Sequence, residues 1–162
     1  MYTHIMIAVD GSSESLQAVR EALKLMARGL RTEISLVNVQ EPASLLELAT
    51  RDPDAIAAAA VEAGENLMSE AAALLDAEGV GYSMEVVLGE PGSVLVDMAE
   101  ELDADMVIMG ARGMGALKSV IVGSVSKAVI THCHRPVLVV RAPEDEETAD
   151  TEAVDAEDAD AT

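Results

Sequence analysis

Apolar positions along the chain come in two alternating rhythms. His4 to Val9 is an apolar run of strand length, and it ends at Asp10-Gly11-Ser12-Ser13, small polar residues suited to a turn and then a helix cap. From Ser15 onward Leu16, Val19, Leu23 and Met26 recur at three- and four-residue steps until Gly29, which predicts an amphipathic helix stopped by a glycine cap. Ile34, Leu36, Val37 and Val39 mark a second strand, and the stretch containing Pro42 and Pro53 reads as a mixed loop. After Asp54 the stripe Ile56, Ala60, Ala63, Leu67, Ala71 and Leu74 predicts a long, slim-faced helix closed by Gly79 and Gly81. Tyr82 to Leu88 is a third strand, Gly92 to Leu102 a third long helix and Met106 to Met109 a wholly apolar fourth strand. A helix from Ser124 to His132 and a strand from Pro136 to Arg141 complete the series.

Apolar strands alternating with helices imply a parallel sheet covered on both faces, because each right-handed crossover lays its helix on the sheet. The expected fold class is therefore α/β: a doubly wound, five-stranded parallel sheet with helices on both faces, formed by one domain over residues 1–142. Residues 143–162 hold ten Asp or Glu and no Lys or Arg, which is half of the formal net charge of -20. Such a segment buries too little to offset its ordering entropy, so a disordered acidic tail is expected there.

The charge changes the picture of partners. A chain at -20 repels phosphate backbones and carries no basic cluster, so nucleic acid is not an expected partner. No apolar stretch approaches the roughly 18–20 residues that cross a bilayer, no leader precedes the first strand, and Cys133 is the single cysteine. A cytoplasmic protein without membrane insertion is expected. His132-Cys133-His134 does not read as a metal site, since consecutive residues at a helix end diverge and no second cluster completes a tetrahedron. Cys133 reads as structural, and the nine methionines read as core filling in a chain without Phe or Trp.

In a doubly wound sheet ligands gather beyond the carboxyl ends of the strands, where the winding reverses. The loops after the first and fourth strands are then the informative ones: Asp10-Gly11-Ser12, and Gly110 through Lys118 leading to Gly123-Ser124-Val125-Ser126. Glycines let backbone amides approach an anion, a helix N-terminus favours negative charge, and the serine hydroxyls, Arg112 and Lys118 add donors. An anion site is expected there. The Walker pattern does not occur, and Gly113-Met114-Gly115 lacks the third glycine of the dinucleotide fingerprint, its place being held by Lys118. No carboxylate or histidine stands out as a residue that would orient a hydrolytic water, although Asp10 lies at the site and slow turnover stays open.

Gly110, Gly113, Gly123 and Ser124 satisfy the spacing Gly, two residues, Gly, nine residues, Gly, Ser. By that signature, and by the opening His-Ile-Met-Ile-Ala-Val-Asp-Gly-Ser, Leu-Val-Asn-Val and the closing Arg-Pro-Val-Leu-Val-Val-Arg, the chain resembles the universal stress proteins, specifically their ATP-binding branch. The resemblance spans about residues 1–141 and implies an adenine nucleotide alpha hydrolase-like fold. It places Asp10 near ribose and adenine with Ala8 and Val9 at the same strand end, and lets Val39 read adenine through its backbone. Met109, Gly110, Arg112 and Gly113 would border ribose and phosphates, while Gly123, Ser124, Val125 and Ser126 would donate to the phosphate chain, which can carry Mg²⁺ or Mn²⁺. It also implies a homodimer joined through the last strand and a binding protein that acts as a stress-response regulator or sensor with a protein partner. A nucleotide-independent interaction protein of the same fold and a slow ATP hydrolase are the alternatives.

Overall fold

The computed structural model describes residues 1–115, 119 and 121–143. Its elements run β1 (His4–Ala8), α1 (Ser13–Ala27), β2 (Glu33–Gln40), α2 (Leu45–Thr50), α3 (Pro53–Ala77), β3 (Tyr82–Leu88), α4 (Pro91–Glu101), β4 (Met106–Gly110), α5 (Ser124–His132) and β5 (Val137–Val140). The five strands form one sheet in the order β3-β2-β1-β4-β5, and every neighbouring pair is parallel. Winding proceeds outward from β1 to β3, then returns to the far side of β1 with β4, so the switch point lies between β1 and β4. The doubly wound α/β expectation is met. The acidic tail from residue 144 onward lies outside the described residues, as does Lys118.

Strand alternation sorts the core into two halves. Ile5, Ile7 and Val9 point to one face, where they pack with Leu36 and Ile108 under Leu16 and Val19 of α1 and Met68, Ala71 and Leu75 of α3. Met6 points to the other face, with Val37, Val107 and Met109, beneath Leu95, Met98 and Ala99 of α4 and Val129 of α5. Ile5, Ile7, Met6 and Leu36 are fully buried, and each such side chain removed from water stabilises the fold by about 1.5–3 kcal/mol. Cys133 is half-buried against the second core, the packing role expected of it.

Two expectations need correction. The stretch between β2 and α3 is not only loop: Ser44 caps a short helix, α2, through a reciprocal capping box with Glu47. The buried face of α3 is Gly64, Met68, Ala71, Ala72 and Leu75, about one residue on from the stripe read along the sequence. The physical reason is in Gly64: a Cβ there would stand 2.6 Å from Val86 Cγ1 and 2.9 Å from Asn38 Oδ1, so the helix lays its glycine against the sheet. Leu67 turns instead toward the loop after β1 and stays 37% exposed.

Candidate functional site

Beyond the carboxyl ends of β1 and β4 lies a cleft of about 480 Å³. All twelve residues expected at the site line it: Ala8, Val9, Asp10, Val39, Met109, Gly110, Arg112, Gly113, Gly123, Ser124, Val125 and Ser126. Ser12, Ser15, Val37, Pro91, Leu95 and Met114 line it as well and were not anticipated. The first two could have been found from the helix-capping pattern after Asp10. Pro91, at the first turn of α4, follows from the rule that each crossover helix starts at the carboxyl rim.

One wall is set by the parting of β1 from β2. The ladder between them closes with Val9 N–H donating to Val37 O at 2.9 Å, after which Asn38 Nδ2–H donates to Val9 O at 2.8 Å. Since a strand's amide and carbonyl face the same side every second residue, those of Val39 point where Val37's do, past the last rung of β1. Val37, Val39, Pro91 and Leu95 make this end of the cleft apolar.

The floor is held by two carboxylates. Asp10 accepts from Ser12 N–H (3.0 Å) and Ser12 Oγ–H (2.5 Å) through Oδ1, and from Met114 N–H (3.2 Å) through Oδ2, tying the loop after β1 to the loop after β4. A Cβ on Gly113 would lie 2.8 Å from Asp10 Oδ2. Glu14, at the start of α1, accepts from Arg112 N–H (2.5 Å), Nε–H (3.2 Å) and an Nη2 hydrogen (2.9 Å). A Cβ on Gly110 would meet Glu14 Cβ at 2.8 Å. These two motif glycines are therefore small because protein atoms press on them. The Arg112 guanidinium is turned onto Glu14, so the site's described cation is already neutralised rather than presented to the cleft.

The opposite end is the start of α5. Ser12, Ser44, Asp52 and Glu90 cap the first turns of α1, α2, α3 and α4 with side-chain oxygens, and the two backbone N–H bonds at α4 hold the Glu90 carboxyl below the usual carboxylate range. Gly123 begins α5 with no side chain to cap it. Its own N–H is fixed on Ala111 O at 2.7 Å, and Ser126 Oγ–H, 2% exposed, also donates to Ala111 O at 2.6 Å. Ser126 thus contributes its backbone N–H to the cleft, not its hydroxyl. The amides of Ser124, Val125 and Ser126 stand at the positive end of a helix, facing the glycine loop.

The chain matches the Universal stress protein family over residues 1–141. The chain belongs to the universal stress protein family. Universal stress protein MJ0531 of Methanocaldococcus jannaschii is 30% identical over 147 residues, covering 90% of this chain and 86% of that one. The solved structure of the hypothetical protein MJ0577 agrees with a TM-score of 0.74 at 26% identity, over 89% of this chain and 99% of that chain. A universal stress protein family member from Arabidopsis thaliana, solved with AMP bound, has the same fold, with a TM-score of 0.65 at 21% identity over 89% and 94% of the two chains. Among the described residues no helix is long and apolar enough to cross a membrane.

Proposed function

We propose that this universal stress protein binds ATP in the cleft, with the adenine between Val39 and Leu95 and the triphosphate at the start of α5, and acts as a nucleotide-dependent regulator or sensor in the stress response. The observation that carries the reading is the uncapped first turn of α5 at one end of a cleft whose other end is apolar. Three oriented amides and a helix dipole suit phosphate oxygens, and Val39's backbone edge suits the hydrogen-bonding edge of a base. With Arg112 paired to Glu14, the helix amides carry the anion with little help from described cations. A divalent ion, Mg²⁺ or Mn²⁺, bound through the phosphates then neutralises a ligand entering an acidic protein. Asp10, the carboxylate that lines the cleft, is engaged as a brace between two loops, which favours binding over hydrolysis. The working form is a cytoplasmic homodimer paired through β5, whose nucleotide state selects a protein partner.

Gly123→Asp separates site from fold. Gly123 has φ -72° and ψ 167°, the backbone of an ordinary N-cap, and a Cβ there meets nothing closer than 3.4 Å. An aspartate would cap α5, adding a few tenths of a kcal/mol of stability, while setting a carboxylate where the phosphate binds. Calorimetric titration of nucleotide-stripped protein should give one ATP per chain, tighter with Mg²⁺, and no saturable heat for Gly123→Asp despite an unchanged or higher Tm. Equal ATP affinity in this variant would sink the proposal.

A further inference from the structure

Between β2 and the buried half of α3 the chain builds a projection in which no residue is fully buried. No residue of α2 is buried, and Leu45, Leu46 and Leu48 are 86%, 73% and 47% exposed. Its cap is complete, so the helix is specified locally, but six residues are too few to be stable without an apolar partner. The first buried residue of α3 is Gly64. A turn further on, Leu67 reaches the loop after β1, its Cδ2 2.8 Å from where a Cβ on Gly11 would stand. Leu67 is thus level with the carboxyl rim of the sheet, and residues 53–63 run beyond it for about 16 Å at 1.5 Å per residue. α2 ends at Thr50, separated from that far end by two residues. It is joined to Val39 by residues 40–44, which can span up to about 17 Å when extended.

The apolar end of the cleft has walls on two sides, Val37 and Val39 from β2 and Pro91 and Leu95 from α4. No Phe or Trp exists in the chain to stack on a base. We propose that α2 is a flap for the nucleoside: Leu45, Leu46 and Leu48 fold over the base of a bound adenine nucleotide and supply the third apolar wall. This rests on the nucleotide reading of the cleft. The base provides the large flat apolar surface that the three leucines lack, and the leucines shield the base from water on its open side. Phosphates at α5 stay outside the flap's reach, so closure responds to the base and not to the anion. The flap sets residence time more than capture, because it closes on a ligand already held at α5.

The absence of tryptophan makes a clean reporter possible. In Leu46→Trp, saturating Mg²⁺-ATP, with occupancy fixed by calorimetry on the same variant, should shift the emission to the blue, whereas inorganic triphosphate at saturation should leave it unmoved. Leu45→Ser/Leu46→Ser/Leu48→Ser should bind ATP about tenfold more weakly, nearly all of it in the off-rate, with triphosphate affinity unchanged. Emission that stays put while calorimetry shows full ATP occupancy, together with an unchanged off-rate in the serine variant, overturns the flap and leaves the nucleotide site standing. An emission shift that follows protein concentration without nucleotide also overturns it, since a second copy then covers the leucines. No ATP binding to the wild-type chain removes both readings.

Discussion

At the scale of single residues, the pair Glu14 and Arg112 decides most. Their side chains are 4% and 6% exposed, and the elements they join are 98 residues apart in the chain. Taking two charges out of water costs several kcal/mol per ion, which only mutual attraction and full hydrogen bonding offset. Removing one partner should therefore hurt far more than removing both. Arg112→Met leaves a buried carboxylate with the Arg112-position amide as its described donor, and should cost about 3–5 kcal/mol in urea unfolding. Glu14→Leu combined with Arg112→Met should recover most of that loss. A single variant within about 0.5 kcal/mol of wild type, the ordinary range for surface changes, would show that the charges are not coupled. Along the sequence Arg112 looks like a phosphate ligand, because it is a rare cation beside glycines. What that view lacks is the carboxylate that reaches it from α1, a contact made only when β1 and β4 lie side by side. Asp10 is similar: its place at the site was legible, but its role in bracing Met114 N–H depends on a long-range turn.

At the scale of elements, legibility tracks how much each segment's chemistry differs from its surroundings. The strands β1 and β4 are apolar runs and β2 is marked by Ile34, Leu36, Val37 and Val39, so all three were readable nearly to the residue, as was α5, where Gly123-Ser124 and the last turn at His132 frame the helix. α3 was readable as a helix but not in its rotation. Alanines at 57–60 and 71–73 fit either face, so the stripe through Ala63 and Leu67 competes with the one through Gly64 and Met68, a difference of about 100°. Tertiary packing breaks the tie, because only a glycine lets the helix sit on Val86 and Asn38. Gly64→Ala tests which effect wins. Helix propensity alone favours alanine by about 1 kcal/mol. Yet its Cβ would lie 2.6 and 2.7 Å from the two Val86 methyls and 2.9 Å from Asn38 Oδ1, and overpacking of this kind costs roughly 1–3 kcal/mol. The variant should come out less stable by thermal unfolding and, through Asn38 and Val9, should weaken ATP binding as well. A raised Tm would mean that α3 can lift off the sheet without loss. α2 escaped the sequence reading for the opposite reason: it buries nothing, so burial leaves no periodic signature there, and only the Ser44–Glu47 capping pair announces it.

At the scale of the whole molecule, association is a contest between an apolar edge and a strongly negative charge. The sheet ends at β3 on one side and β5 on the other. β3 carries Glu85 within the strand, and a charge on an edge discourages pairing, whereas β5 is Val137-Leu138-Val139-Val140 with Leu138 38% exposed. The β5 edge is the one suited to meet its own copy, where Leu138 would cross the two-fold axis of an isologous contact. Against this stands -20 per chain, so a dimer brings together two bodies that repel at long range. Screening at about 0.15 M ionic strength shortens that repulsion to roughly 8 Å, while burial of Leu138 is little affected. The dimer should therefore tighten as salt is raised, the reverse of an interface built on ion pairs. Sedimentation across a salt series should show this, and Leu138→Lys, which places a charge on the apolar edge, should be monomeric under every condition with its ATP affinity kept. A wild-type chain that stays monomeric at all salt concentrations, or a Leu138→Lys variant that still dimerises, would move the interface away from β5. The nucleotide site would then have to signal through another surface, since β5 is linked to the cleft directly: Val140 O receives Ala111 N–H at 2.8 Å, one residue before Arg112.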